Sequence, residues 1–303
     1  MRFLIRRLLA AAVLVFAATS GAMLLAQLAP GDYAAQFGRT PAEIAAERHR
    51  LGLDRPIGEQ YAHWVTRTLT LDLGESFQYQ QPVLDLVRAR AANTAVLAAV
   101  ALALATAIGI PWGIFTGSRA GPAARLLRGL SLLLLSVPPL ISSLVLLTIA
   151  ARTGWLPVSG MGGPSHLVLP SVALALPIAA MLERLQAQSI GDALRRPAIA
   201  AARARGIPEA RLIRRHGWRQ SLAPLLAVYG AIAGSLFSGS FAVEIVTSRP
   251  GLAELMRQAL MSRDTYLVAG CAAAGALFLA IALLAADIAH ALADPRAAAG
   301  IAP

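Results

Sequence analysis

The chain has 303 residues, of which 57% are hydrophobic and 14% charged, with a mean hydropathy of +0.62. A soluble chain would carry about a quarter charged residues, and here the apolar residues are blocked into runs of about 20, the length that crosses a bilayer core as helix. These features exclude an ordinary soluble domain and predict an all-α polytopic membrane protein, one domain of several helices.

The net charge of +11 is carried by arginine alone, because the sequence contains no lysine. Basic charge can point to nucleic acid, but arginine-rich loops in a membrane protein follow the positive-inside rule, so no nucleic-acid partner is expected. Without lysine there is no Walker A motif and no lysine Schiff base. If ATP drives this protein, another chain binds it. Cys271 stands alone inside an apolar run and reads as a small packed residue. His49, His63, His166, His216 and His290 are scattered, with no ligand spacing such as HExxH, so no metal site and no catalytic residue is expected.

The first apolar run, residues 8–28, follows Arg2, Arg6 and Arg7. It is longer than the usual core of a signal peptide, and an uncleaved helix within 1–28 is expected. Residues 29–93 form a polar segment with seven arginines and eight acids. Within it, Thr40-Pro41-Ala42-Glu43 reads as a capping box with proline at the first helical position, opening a short helix through Leu51 that Gly52 ends.

Five further apolar runs lie at 94–116, 129–151, 167–183, 223–245 and 266–286, making six spans. They define a membrane core over 94–292 and leave a short tail, 293–303. Pro111, Pro138-Pro139 and Pro177 interrupt spans, which means either ordinary kinks or freed carbonyls along a path. Gly230, Gly234, Ser235, Ser238, Gly239 and Ser240 put small side chains on one face of the fifth span, suiting close helix packing or a pathway wall. No charged residue is expected midway through a span; Glu244 falls at one end of the fifth and Asp287 near one end of the sixth. That argues against a self-powered carrier, which keeps an ionisable group there, and the spans hold no nucleophile–base set for a membrane enzyme.

The most distinctive stretch, 184–222, lies between the fourth and fifth spans. Residues 183–224 carry nine arginines against Glu183, Asp192 and Glu209. A passive connection needs only a few residues, so this loop is expected to be a docking surface. Arginine is also abundant before the first span and at 117–128, but sparse at 152–166. The arginine-rich loops alternate, which predicts that both termini and the 184–222 loop are cytoplasmic and that 29–93 is outside.

Several short motifs, in order, resemble one family. They are Ala29-Pro30-Gly31-Asp32; Leu51-Gly52-Leu53-Asp54-Arg55-Pro56; Leu71-Asp72-Leu73-Gly74-Glu75-Ser76; Ser136-Val137-Pro138; Gly154-Trp155-Leu156-Pro157; Ala202-Arg203-Ala204-Arg205-Gly206; Arg215-His216; Pro250-Gly251-Leu252; Arg263-Asp264; and Asp294-Pro295-Arg296. The ordered set is similar to the permease subunits of bacterial ABC importers for dipeptides, oligopeptides and nickel, over nearly the whole chain.

The resemblance implies the type I importer permease fold in a bacterial inner membrane. It implies a second homologous permease, two ATPase domains that carry ATP and Mg, and an extracytoplasmic binding protein. It also implies a coupling helix in the 184–222 loop. There Ala201, Ala202 and Gly206 would allow close approach, Arg203 and Arg205 would offer donors to the ATPase, and Ala204, Arg215 and His216 would belong to the same coupling loop. The chain departs from the pattern at Pro197, Ala198, Ala200, Thr265 and Tyr266. Short peptides are the expected cargo, nickel or another small solute the alternative, and a stand-alone secondary carrier or channel the rival of a different class.

Overall fold

The computed structural model describes residues 2–37, 40–158, 160 and 162–293; among these every regular element is helical. The helices are α1 Arg2–Leu28, α2 Pro41–Leu51, α3 Ile57–Leu69, α4 Val83–Ser118, α5 Pro122–Ser136, α6 Pro139–Thr153, α7 Ser165–Leu194 and α8 Pro197–Ala204. They continue with α9 Glu209–Arg211, a π-helical turn Leu212–Gly217, α10 Trp218–Val246, α11 Leu252–Met261 and α12 Thr265–Ala293. α1, α4, α7, α10 and α12 are each long and apolar enough to cross a membrane, and the bent pair α5–α6 makes a sixth candidate.

Three boundaries differ from the expectation. α4 begins at Val83, inside the stretch expected to be polar segment. α7 runs on past Glu183 to Leu194, so the fourth span does not stop at its first charge. The run expected as the third span is two helices bent by 102°, the geometry of a broken span or a re-entrant loop. The cause is local: Val137 is extended, and Pro138 and Pro139 follow without amide protons to continue the ladder.

The chain forms two compact units. The first comprises residues 1–95 and 249–280. Its core gathers Met23 of α1, Trp64 of α3 and Ala269 of α12, with Tyr61, Val65 and Tyr266 against them. The expected capping box is present: Thr40 Oγ1 accepts from Glu43 N, and Glu43 Oε2 accepts from Thr40 N at 3.0 Å. Gly52 ends the helix in the left-handed region at φ 68°.

Two motif segments distant in sequence meet in this unit. Buried Asp264 accepts from Ser76 Oγ at 2.6 Å and from the amides of Gln78 and Leu267. Burial pushes the Asp264 carboxyl above its usual range, and those donors oppose the shift. Gly74, at φ 86°, lies so near the Tyr266 ring that an added Cβ would come within 3.1 Å of it. α11 begins at Gly251, which has no side chain to cap it, and Thr94 Oγ1 accepts the Leu252 amide at 2.8 Å instead.

The second unit comprises residues 96–248 and 281–303. Its core joins Leu97, Ala101 and Ala105 of α4 to Leu174, Ile178 and Leu182 of α7 and to Leu225, Ile232 and Leu236 of α10. α7 is the central helix of this unit and packs against α5, α6 and α10.

Candidate functional site

The expected docking segment is helical for most of its length. α7 ends at Leu194, Arg196 stands before α8, and Pro197 opens α8 at its first turn, where a missing amide costs nothing. Ile199 and Ala202, three apart, turn inward and join Ile190 and Leu194 of α7 and Leu212 of the π turn. Pro197, Ala200, Ala201 and Ala204 remain on the exposed side. α8 is therefore clamped to the end of α7 by one face and presents small side chains on the other. Gly206 ends the segment at φ 80°, in open space, a conformation that favours glycine.

The arginines divide in the same way. Arg203 donates twice to Glu209, at 2.9 and 2.7 Å, so its fork is engaged within the chain. That bond holds the Glu209 carboxyl below its ordinary range. Arg205, with Ala198, Ile199, Ala202, Ile207 and Gln220, lines a hollow of about 450 Å³ beside α8. Arg215 is exposed on the π turn, and the side chain of His216 lies outside the described residues, as does Asp294-Pro295-Arg296. Of the eight residues expected at this site, α8 and its exit loop hold Ala201 to Gly206 together. Ala202 is buried in the chain's own core.

The small residues of α10 do not form one functional face. Buried Gly230 packs on α12, where an added Cβ would come within 2.9 Å of Ala286 Cβ. Gly239 packs on Leu174 of α7 and Pro139 of α6, at 2.8 and 3.5 Å on the same measure. Gly234 is half-buried, Ser235 and Ser238 are exposed, and Ser240 and Glu244 are buried. Pro138 and Pro139 form the break between α5 and α6.

One tight seam was absent from the sequence reading. Gly109, Gly113 and Gly117 of α4 lie directly on the backbone of α7. A Cβ on Gly109 would stand 2.5 Å from Ala179 O, and one on Gly113 would stand 2.5 Å from Glu183 O. One on Gly117 would meet Ala187 O. Carbonyls four apart on α7 thus face glycines four apart on α4, a close approach that only small residues permit. The spacing was legible as Gly109-Ile-Pro-Trp-Gly113-Ile-Phe-Thr-Gly117.

A buried carboxylate sits on this seam. Glu183 is 1% exposed. Thr116 of α4 hydrogen-bonds Oε1, and Ser131 of α5 donates to Oε2 at 2.5 Å. One turn on, Gln186 donates to Ser221 of α10 at 2.9 Å. The expectation that no charge sits inside a span is therefore corrected: Glu183 lies within α7, where two hydroxyls satisfy a group that lipid could not. Among the described residues, no three His, Cys, Asp or Glu side chains come together to hold a metal ion.

Five membrane-length helices and the bent α5–α6 pair define a multi-pass membrane protein. The family described as "Binding-protein-dependent transport system inner membrane component" matches residues 109–299, and the companion description "Binding-prot-dependent transport system membrane comp, N-term" matches residues 1–98. The chain belongs to this family and is a multi-pass inner-membrane transport subunit.

Its relatives match end to end. A chain from Brucella ovis is 30% identical over 98% of both sequences. The dipeptide transport system permease protein DppB of Lactococcus lactis is 29% identical, covering 97% of this chain and 98% of the relative. The oligopeptide transport system permease protein AppB of Bacillus subtilis is 29% identical with the same coverage.

Proposed function

We propose that this chain is one of two homologous permeases in an ATP-driven importer of short peptides, and that α8 is the helix through which an ATPase acts on it. The carrying observation is the two-sided α8. Its inner face is fixed to α7 by Ile199 and Ala202, while its outer face is a run of alanines flanked by Arg195, Arg196 and Arg205. Small side chains admit close approach of a second protein, and the guanidinium groups suit carboxylates or carbonyls on it. The names of the full-length relatives in Lactococcus and Bacillus support peptides as the cargo.

In this reading the arginine-rich side is cytoplasmic and both termini lie there. The segment between α1 and α4 faces outward, where a binding protein delivers the peptide. ATP and Mg belong to the ATPase chains, since no lysine is available here for a phosphate-binding loop. Closure of the ATPases displaces α8, and the spans alternate access between the two sides.

The test is Ala201→Trp. Ala201 is exposed, so an indole there leaves the chain's own core intact while obstructing a partner. The variant should insert normally and lose co-purification with its partner ATPase. Undiminished co-purification, together with normal peptide-stimulated ATP hydrolysis, would remove α8 from the interface.

A further inference from the structure

We infer that Glu183 is a positioning residue for transport: its carboxylate ties α4 and α5 to α7, so that movement of α8 is delivered to them. The inference rests on the reading of α8 as the ATPase-facing helix. From Glu183 to Leu194 α7 is unbroken helix, a rod of about 17 Å at 1.5 Å per residue. Its far end is clamped to α8 through Ile190, Leu194, Ile199 and Ala202. A displacement of α8 is therefore a displacement of this rod.

At the near end both carboxylate oxygens are engaged, one by Thr116 of α4 and one by Ser131 of α5. Arg128, one turn before Ser131, donates to Thr116 O at 2.9 Å and closes the triangle between α4 and α5. Apolar contacts alone let helices slide past one another. A buried carboxylate is costly to leave unsatisfied, so a shift that broke either hydroxyl bond would be opposed strongly. Fixing register is the best-attested use of such a buried polar group. The glycines beside it bring α4 against the α7 carbonyls, leaving no slack in the seam. Past Ser131, α5 ends at the 102° break, so α5 can turn as a short separate lever.

The experiment compares Glu183→Leu with Glu183→Gln in the assembled complex with ATPases, partner permease and binding protein. Leucine approximates the volume and removes the carboxyl group, and the two freed hydroxyls can turn back to their own helix carbonyls. Glutamine can engage both hydroxyls. The readout is peptide taken up per ATP hydrolysed, with co-purification of the ATPase as the control for the underlying reading.

Glu183→Leu should assemble and hydrolyse ATP, with uptake per ATP lowered about fivefold or more, while Glu183→Gln stays near the unmodified ratio. An unchanged ratio in Glu183→Leu overturns the inference, and so does an equal loss in Glu183→Gln. Should Glu183→Leu fail to accumulate, Ser131→Ala removes one of the two bonds and is read by the same ratio. Failure of the unmodified chain to hold any ATPase would instead overturn the reading of α8.

Discussion

The seam between α4 and α7 makes a sharp prediction at Gly113. An alanine Cβ there would stand 2.5 Å from Glu183 O and 2.6 Å from Gln186 Cβ. An ordinary carbon–oxygen contact is about 3.3 to 3.6 Å, so the helices must part by roughly 0.8 Å or more. A gap of that size forfeits about a quarter to a half of the dispersion energy along the seam, and overpacking in a close interface costs about 1–3 kcal/mol. Alanine recovers up to about 1 kcal/mol of helix propensity over glycine.

Gly129 of α5 provides the control, because an added Cβ there meets nothing within 4 Å. Gly129→Ala therefore has the propensity gain without the clash. The two variants should differ by about 1–3 kcal/mol, which at about 2–4 °C per kcal/mol puts Gly113→Ala several degrees lower in apparent Tm. Thermal unfolding in detergent, followed by tryptophan fluorescence, measures this directly. A Gly113→Ala protein that unfolds at or above the temperature of Gly129→Ala would refute the close crossing and the register assigned to Glu183.

Two further outcomes follow from the first unit and from the orientation. The Asp264 carboxyl is raised by burial, so the folded state holds its proton more tightly than the unfolded chain; stability should fall as pH rises from the ordinary carboxylate range through the raised value. Asp264→Asn should flatten that slope in a series of Tm measurements against pH, and an unchanged slope would assign it to another group. For the orientation, a cysteine at Glu59 should react with a membrane-impermeant thiol reagent added outside cells, and one at Ala204 only after the membrane is opened. Cys271 is 2% exposed and adds little background, and the reverse labelling pattern would turn the protein over.

Much of the fold was legible where the cause is local. The capping box at Thr40–Glu43 and the glycine stop at Gly52 need only neighbouring residues, and both stand where expected. The six apolar runs register as hydropathy because lipid contact is a property of a whole window. What was missed depends on partners far along the chain. Hydropathy ended the fourth span at Glu183 because a charge is costly in lipid. The cost is met by Thr116 and Ser131, 67 and 52 positions away, and no window contains all three. Pro138-Pro139 was legible as an interruption, either a kink or freed carbonyls along a path, but dihedral preference at two residues does not fix the 102° by which the helices then diverge. At α8 the small-residue pattern was visible, but its division into inner Ala202 and outer Ala201 and Ala204 is set by the end of α7.

Glu183 also bears on the rival reading of a self-powered carrier, which the sequence disfavoured because no ionisable group was expected inside a span. The group is there, but its setting differs from that of a coupling site. A carboxylate that exchanges protons or sodium with a pathway must meet water in at least one state. Here it is 1% exposed, it sits where three glycines bring two helices into backbone contact, and both oxygens are occupied by hydroxyls of neighbouring helices. Opening it to water would mean parting the seam on which α4, α5 and α7 depend. A group that joins three helices at the end of the rod leading to α8 is placed to transmit displacement. In the proposed reading, the energy for that displacement is supplied by the partner ATPase that acts on α8.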